Sequence, residues 1–259
     1  MWWLPRRLRH GEEATLVEHL EEFRSRIILS LIAIGVAFGV AYGFHQRLME
    51  WLRQPLPADR RELLTINVTE PFFTSIRVSL YAALAVALPF VLWQLWSFLA
   101  PAVEEHKQRV VAVFVAFASV LFAGGLMFAY WVVLPPALHF LTDYDSEIYN
   151  IQIRAASYYS FVAAVLITIG LVFELPVFIL ALVRLGILSS ATLRRNRRLG
   201  YVLAVVVAVL LPTVDPVSLA FESLPLVALF ELSIWLSVYF ERRWWPEAAL
   251  GAESGEAVG

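Results

Sequence analysis

Cysteine is absent from all 259 residues, which excludes disulfides, thiol catalysis and iron–sulfur or thiolate-metal sites. Charge is sparse as well: Asp, Glu, Lys and Arg make up 16% of the chain, where soluble domains carry about 25%. There is no Gly-x-Ser-x-Gly elbow, no His-Glu-x-x-His pair and no phosphate loop with Gly-Lys, so the common hydrolase, zinc-peptidase and nucleotide-driven classes find no support. His106 and His139 lack a second histidine close by, and no metal or other cofactor is expected. No internal repeat is visible, which disfavours transporter folds built from inverted halves.

What is plentiful is apolar sequence. Hydrophobic residues make up 60% and the mean hydropathy is +0.70, an excess that no single water-soluble core could hide. The charge-free runs Ile27–Phe44, Val78–Val103, Val110–Thr142 and Ala155–Phe173 each meet the roughly 18 residues of a membrane span. Two weaker segments follow. Leu199–Val214 is bracketed by Arg198 and Asp215 and shortened by Pro212, and 217–240 is interrupted by Glu222, Pro225 and Glu231. At about 1.5 Å per residue the first of these reaches roughly 20–24 Å, short of a hydrocarbon core of about 30 Å. The expected fold is an all-α polytopic membrane protein with six transmembrane helices, over about 27–44, 76–100, 110–136, 157–183, 199–212 and 217–240, the fifth and sixth short. Residues 1–26 then form a cytoplasmic N-terminal segment, 27–240 the transmembrane domain and 241–259 a tail, whose Ala/Gly/Glu-rich end reads as disordered.

Basic residues orient the chain, because translocated loops are poor in Lys and Arg. Arg6, Arg7, Arg9, Arg24, Arg26, Lys107, Arg109, Arg184, Arg194, Arg195, Arg197, Arg198, Arg242 and Arg243 fall on one side. They outnumber Arg47, Arg53, Arg60, Arg61 and Arg154 on the other, so both termini are expected in the cytoplasm. The first apolar stretch lacks a small-x-small cleavage site and reads as a span rather than a signal peptide. The outer loop 45–71 mixes Leu48, Trp51, Leu52 and Leu56 with charge, predicting a short surface helix that ends at Pro55. The outer loop 139–156 carries Asp143, Asp145 and Glu147.

Near the N-terminus, Thr15-Leu16-Val17-Glu18 reads as a capping box. Leu16, Leu20, Phe23 and Ile27 follow at helical spacing, which predicts an amphipathic helix running into the first span. Its acids Glu18, Glu21 and Glu22 precede Arg24 and Arg26, the order that the helix dipole favours. Such a segment serves either as a helix start on the membrane surface or as a carboxylate patch, where a guanidinium would bind bidentately in reduced dielectric.

These residues carry a family resemblance. His19-Leu20-Glu21-Glu22-Phe23-Arg24-Ser25-Arg26-Ile27 resembles the His-Leu-x-Glu-Leu-Arg-x-Arg signature of TatC, the receptor subunit of twin-arginine protein translocation. The likeness continues in order through Gln54-Pro55-Leu56, Val68-Thr69-Glu70-Pro71-Phe72-Phe73 and Trp93-Gln94-Leu95-Trp96-Ser97-Phe98-Leu99-Ala100-Pro101-Ala102. It resumes at Phe173-Glu174-Leu175-Pro176, Leu193-Arg194, Asp215-Pro216, Pro225 and Phe230-Glu231, covering about residues 15–243.

The resemblance implies a concave six-helix bundle with both termini cytoplasmic and short fifth and sixth helices, in a bacterial or archaeal-type cytoplasmic (inner) membrane. It implies binding of the paired arginines of signal peptides on folded cargo, with TatA-like and TatB-like single-span partners. A homo-oligomeric receptor complex in the lipid bilayer and export driven by the proton-motive force follow, with no covalent chemistry and no nucleic acid. On this reading Glu22 is the leading guanidinium contact, with Glu21, about 100° round the helix, Arg24 and Phe98 beside it. The chain departs from the family pattern after Ala102, where Lys107 stands in place of a Glu. Either Glu104 or Glu105 takes that role, Glu105 being favoured as the nearer, or the site relies more on Glu22.

Ionisable groups at membrane depth are functional candidates by default. Glu174, two residues before Pro176, either bonds a backbone carbonyl freed by the proline or, as in the family, faces a partner helix or bound water. Glu231 is the family's polar group on the sixth span, whereas Leu219 stands where the family often has Gln. Glu222 has no counterpart and is expected to reach the outer water layer. Pro55, Glu70, Phe72 and Asp215 read as structural residues of the outer loops, with Glu70 salt-bridged to Arg77 two turns along. Gly35, Gly39 and Gly43 form a small-xxx-small row, read as internal helix packing ahead of a partner interface. Pro89, Pro135, Pro136, Pro176 and Pro225 should bend their helices. The alternative function is a proton-coupled small-solute transporter, resting on Glu174 and Glu231.

Overall fold

No proline or glycine interrupts the chain between Leu16 and Ile34, so nothing stops a helix once it has begun. In the computed structural model, which describes residues 16–99, 108–149, 151–210 and 216–244, the end of the polar leader and the first apolar stretch are one helix, α1 (Leu16–Gly43). There follow α2 (His45–Leu52), a three-residue 3-10 turn at Ala58–Arg60, α3 (Glu70–Leu99), α4 (Gln108–Phe128) and a π-helical turn at Ala129–Val133. The chain continues through α5 (Leu134–Asp143), α6 (Ala155–Val172), α7 (Leu175–Arg184), α8 (Ser190–Arg195), α9 (Arg197–Val209) and α10 (Pro216–Trp244). Among the described residues there is no strand, only an isolated parallel bridge between Leu64 and Arg154. The protein is all-α.

Among the described residues, five helical stretches are long and apolar enough to cross a membrane: Leu20–Gly43, Glu70–Phe98, Ala112–Asp143, Ala155–Arg184 and Leu219–Glu241. The chain is a multi-pass membrane protein. The segment expected as a fifth span is α9, 13 residues long and so roughly 20 Å. The sixth was expected to be short and is not. α10 has 29 residues and continues through Pro225, because one lost N–H bond does not end a helix that packing holds on several sides.

The prolines divide into two kinds. Pro89 and Pro225 lie inside unbroken helices. Pro135 and Pro136 instead open α5 directly after the π-helical turn, and Pro176 opens α7 after the turn at Phe173–Glu174. Pro176, in the first turn of a new helix, forfeits no bond, whereas Pro135 and Pro136 follow the π-helical turn inside one continuous helical stretch, Ala112–Asp143.

The described residues fall into two compact units, one within 1–53, 64–120 and 154–160, the other within 54–63, 121–153 and 161–259. In the first, α1 packs along α3. The half-buried positions Arg26, Ser30, Ala33, Ala37 and Ala41 recur at helical spacing and mark the packed stripe. Gly35, Gly39 and Gly43 are exposed, and a Cβ added at any of them would meet nothing within 4 Å. The glycine row therefore does not serve packing within the described chain, contrary to the expectation above. α2 ends at Leu52, before Pro55, and the Tyr158 and Tyr159 hydroxyls donate to the Leu52 carbonyl (2.7 Å) and the Met49 carbonyl (3.2 Å).

In the second unit α10 packs against α5, α7, α8 and α9. Val183, Leu193 and Ile234 form one buried cluster, with Ile179, Leu188 and Phe230 around them. Gly186, at φ +72°, turns the chain out of α7 in the left-handed conformation that glycine adopts without penalty. At the far end of α10, Glu241 accepts a hydrogen bond from the Ser190 backbone N–H (2.9 Å), which satisfies one of the open donors at the start of α8.

Candidate functional site

Where α1 begins, the sequence places Glu22 and Arg26 one turn apart, the order and spacing that favour a helical ion pair. The Arg26 Nε donates to Glu22 Oε1 (3.1 Å), and Arg26 Nη2 contacts the same oxygen. Arg26 Nη1 reaches the Gln94 carbonyl on α3 at 3.4 Å, and the rings of Phe23 and Phe98 lie 5.3 Å apart. The guanidinium thus crosslinks the two helices while using one carboxylate oxygen. Glu22 Oε2 accepts no hydrogen bond from any described residue. Glu21 and Arg24 are exposed on the neighbouring faces and make no ion pair among the described residues. The structure brings Glu22, Phe98 and the flanking Glu21 and Arg24 together at one end of the α1–α3 pair. Thr15, the Glu18 side chain, Glu104, Glu105, Lys107 and Asp215 lie outside the described residues.

Glu174 sits in the turn between α6 and α7 with 1% of its surface exposed. Its backbone carbonyl accepts from the Val177 and Phe178 N–H groups (2.9 and 3.1 Å), while its carboxyl Oε1 has no partner among the described residues. The bond to a freed carbonyl that the proline suggested is not made, because the chain leaves the helix at Phe173–Glu174 and re-enters it at Leu175. Glu231 lies between cationic and phenolic donors: the Tyr201 hydroxyl bonds Oε1 and Arg197 Nη2 lies 3.4 Å from Oε2. Both donors come from α9, held close by Gly200, where an added Cβ would fall 2.1 Å from the Phe230 ring. Glu222 was expected to reach water; it is 3% exposed, on the inner side of α10. Leu219 is half-buried near the start of the same helix.

Glu70 opens α3, and its partner is not Arg77. Its Oε1 accepts from Arg154 Nε (3.0 Å) and the Ala156 N–H (3.2 Å), and its Oε2 from the Ile66 and Asn67 N–H groups (3.1 and 3.4 Å). The anion holds the Arg154 guanidinium above its ordinary pKa, chiefly through that hydrogen bond. Arg77, two turns along, donates instead to Ser160 Oγ at 2.9 Å. Phe72 is exposed beside Phe73, ring centroids 5.5 Å apart. Pro55 lies half-buried in the turn after α2, where Arg61 caps the Leu56 and Gln54 carbonyls (3.1 and 2.9 Å).

The chain is matched over residues 18–225 by the family model for TatC, the Sec-independent protein translocase protein. It belongs to the TatC family. The TatC of Carboxydothermus hydrogenoformans is 35% identical over 228 residues, covering 88% of this chain and 94% of that protein. The TatCd protein of Bacillus subtilis is 33% identical over 242 residues, 93% of this chain and 99% of its own. Among solved structures, a crystal structure of the twin-arginine translocase receptor TatC in DDM superposes with a TM-score of 0.75 at 32% identity, over 85% of this chain and 99% of the other.

TatC proteins are protein-translocase components and not enzymes, and the relatives lend no support to the solute-transporter alternative. Four partners of this TatC chain's polar residues were missed from sequence. Arg26 could have been paired with Glu22 from spacing alone. Arg197 and Tyr201 lie about one turn apart on α9, as Glu231's two donors must, though nothing in the sequence aims them at α10. Arg154 is 84 residues from Glu70, and no local pattern joins them.

Proposed function

We propose that this TatC chain is the receptor subunit of a twin-arginine translocase, binding the paired arginines of a signal peptide at the end where α1 begins and α3 finishes. The observation that carries this reading is the half-open Glu22 carboxylate. Arg26 occupies Oε1 and fixes the side chain's position, while Oε2 is left to accept an incoming guanidinium. The Phe23–Phe98 pair beside it gives apolar surface to the residues that follow an arginine pair. Glu21 adds negative charge at the approach, and Glu104 or Glu105 supplies the second carboxylate in place of the family residue at Lys107.

On this reading the chain has six transmembrane helices with α9 as the fifth, both termini in the cytoplasm and residence in the cytoplasmic (inner) membrane. The N-terminal segment, the transmembrane domain and the tail divide near residues 26 and 240. TatA-like and TatB-like single-span proteins and further copies of the chain complete the complex, which the proton-motive force drives. Glu174 and Glu231 serve as polar groups within the bundle, and Pro55, Glu70, Phe72 and Asp215 shape the outer loops.

The test is binding of a fluorescent twin-arginine peptide to the purified protein in detergent. Glu22→Gln keeps the shape and removes the charge, and should weaken binding about tenfold or more, the scale of one lost charge-assisted contact. Replacing the peptide's arginines by lysines should cost at least as much, since charge is kept while the bidentate fork is lost. Equal affinity of wild type and Glu22→Gln for the arginine peptide would sink the assignment.

A further inference from the structure

We propose that Arg77 and Ser160 form a binding site for the phosphodiester group of a single glycerophospholipid, in the leaflet nearest the start of α3. The site is independent of signal-peptide binding and lies at the opposite end of α3 from Phe98. Three observations converge on it.

The first is that Arg77 has no counter-ion among the described residues. The acid placed to pair with it, Glu70, already accepts four hydrogen bonds from Arg154, Ala156, Ile66 and Asn67. No described carboxylate lies within salt-bridge distance of Arg77. Its recorded side-chain bond is Nη1 to the neutral Ser160 Oγ, which orients the guanidinium and leaves donors on the far side of the fork unused.

The second is where the cation points. Arg77 is exposed, and the exposed residues that share its stripe on α3 are Phe73 one turn before, Leu80 one turn after and Leu84 two turns after. A charge facing outward from a membrane helix, on an apolar stripe, has no protein interior to turn to. Lipid is what covers that stripe, and the anion a lipid offers is its phosphate.

The third is depth. The charge-free stretch starts at Val78, and from there to Leu99 α3 spans about 33 Å at 1.5 Å per residue, close to the roughly 30 Å hydrocarbon core. Arg77 is therefore at the boundary between acyl chains and headgroups, where the side chain reaches the phosphate layer by snorkelling. Its planar fork suits a phosphodiester bidentately. Leu80 and Leu84 line the path of an acyl chain below it, and Ser157, exposed one turn before Ser160 on α6, stands at the headgroup edge.

Native mass spectrometry of the full chain released from nanodiscs tests this, with discs of phosphatidylglycerol and discs of a galactolipid that lacks phosphate. Wild type should carry one more retained phosphatidylglycerol than Arg77→Gln, with about tenfold tighter retention, as for one charge-assisted bidentate contact. Arg77→Lys, which preserves charge and fold, should retain an intermediate amount, and Ser160→Ala should weaken retention by freeing the guanidinium. No galactolipid should be held in a way that depends on residue 77. Identical phosphatidylglycerol counts for wild type, Arg77→Gln and Arg77→Lys would overturn the proposal, as would equal Arg77-dependent retention of the galactolipid.

Discussion

A carboxylate has about four lone-pair sites, and a buried one that fills all four cannot take a further partner. Glu70 is in that position, which is why it takes Arg154 from a distant loop and not Arg77 on its own helix. The bridge between Leu64 and Arg154 and the bond from the Ala155 N–H to the Leu64 carbonyl (2.8 Å) hold that loop alongside the carboxylate. Three loop arginines are thus structural: Arg154 closes on Glu70, Arg61 caps two carbonyls and Arg60 reaches the Ile151 carbonyl at 3.3 Å. This arrangement predicts a specific pattern of coupling. Arg154→Gln should lower the apparent Tm by roughly 5 °C, because it leaves a buried acceptor unpaired. In a Glu70→Gln background it should cost much less, as expected for residues in contact, whereas Arg77→Gln should add independently to Glu70→Gln. Thermal unfolding of the five single and double variants in detergent measures this; coupling of Glu70 to Arg77 instead would restore the pairing that spacing along α3 suggests.

At the scale of elements, glycine decides how closely two helices approach, and the neighbours Gly124 and Gly125 make an internal control. A Cβ on Gly125 would fall 2.9 Å from the Gly170 Cα and 2.8 Å from the Phe173 ring, and the Gly170 contact is to backbone that cannot step aside. A Cβ on Gly124 would meet nothing within 4 Å. Gly125→Ala should therefore destabilise by about 1–3 kcal/mol through overpacking. Gly124→Ala should be neutral or stabilising by up to ~1 kcal/mol, since it removes a flexible residue from a helix. Equal effects in a detergent unfolding assay would contradict the packing described here. The same elements show what was readable beforehand. α1, α3, α4–α5 and α6–α7 follow from long charge-free runs, because a hydrocarbon core tolerates nothing else. The Glu22–Arg26 pair was readable too, since it depends on spacing within one helix. α10 was read as short because Glu222, Pro225 and Glu231 look like interruptions; each is accommodated by neighbours that the sequence does not name. The row Gly35, Gly39 and Gly43 announces that something can come close to α1 but not what does, and α3 lies along a different stripe.

At the scale of the whole molecule, α9 poses a length problem. Its 13 residues give roughly 20 Å against a hydrocarbon core of about 30 Å, so crossing requires the bilayer to thin or the flanking polar groups to snorkel. The length problem is particular to α9, because α10 is long enough to cross unaided. Arg197 at one end of α9 is paired with Glu231, which offsets part of the cost of bringing that charge toward the hydrocarbon core. The cysteine-free chain makes the crossing directly measurable, because any single introduced thiol is the sole site of labelling. With a membrane-impermeant maleimide on intact cells, Asp59→Cys, Glu147→Cys and Val214→Cys should label, while Arg194→Cys should label after the membrane is permeabilised. That pattern requires α9 to traverse the bilayer in spite of its length. Protection of Val214→Cys in intact cells, with Asp59→Cys and Glu147→Cys still labelled, would instead make α9 a re-entrant segment and leave the two chain ends on opposite sides.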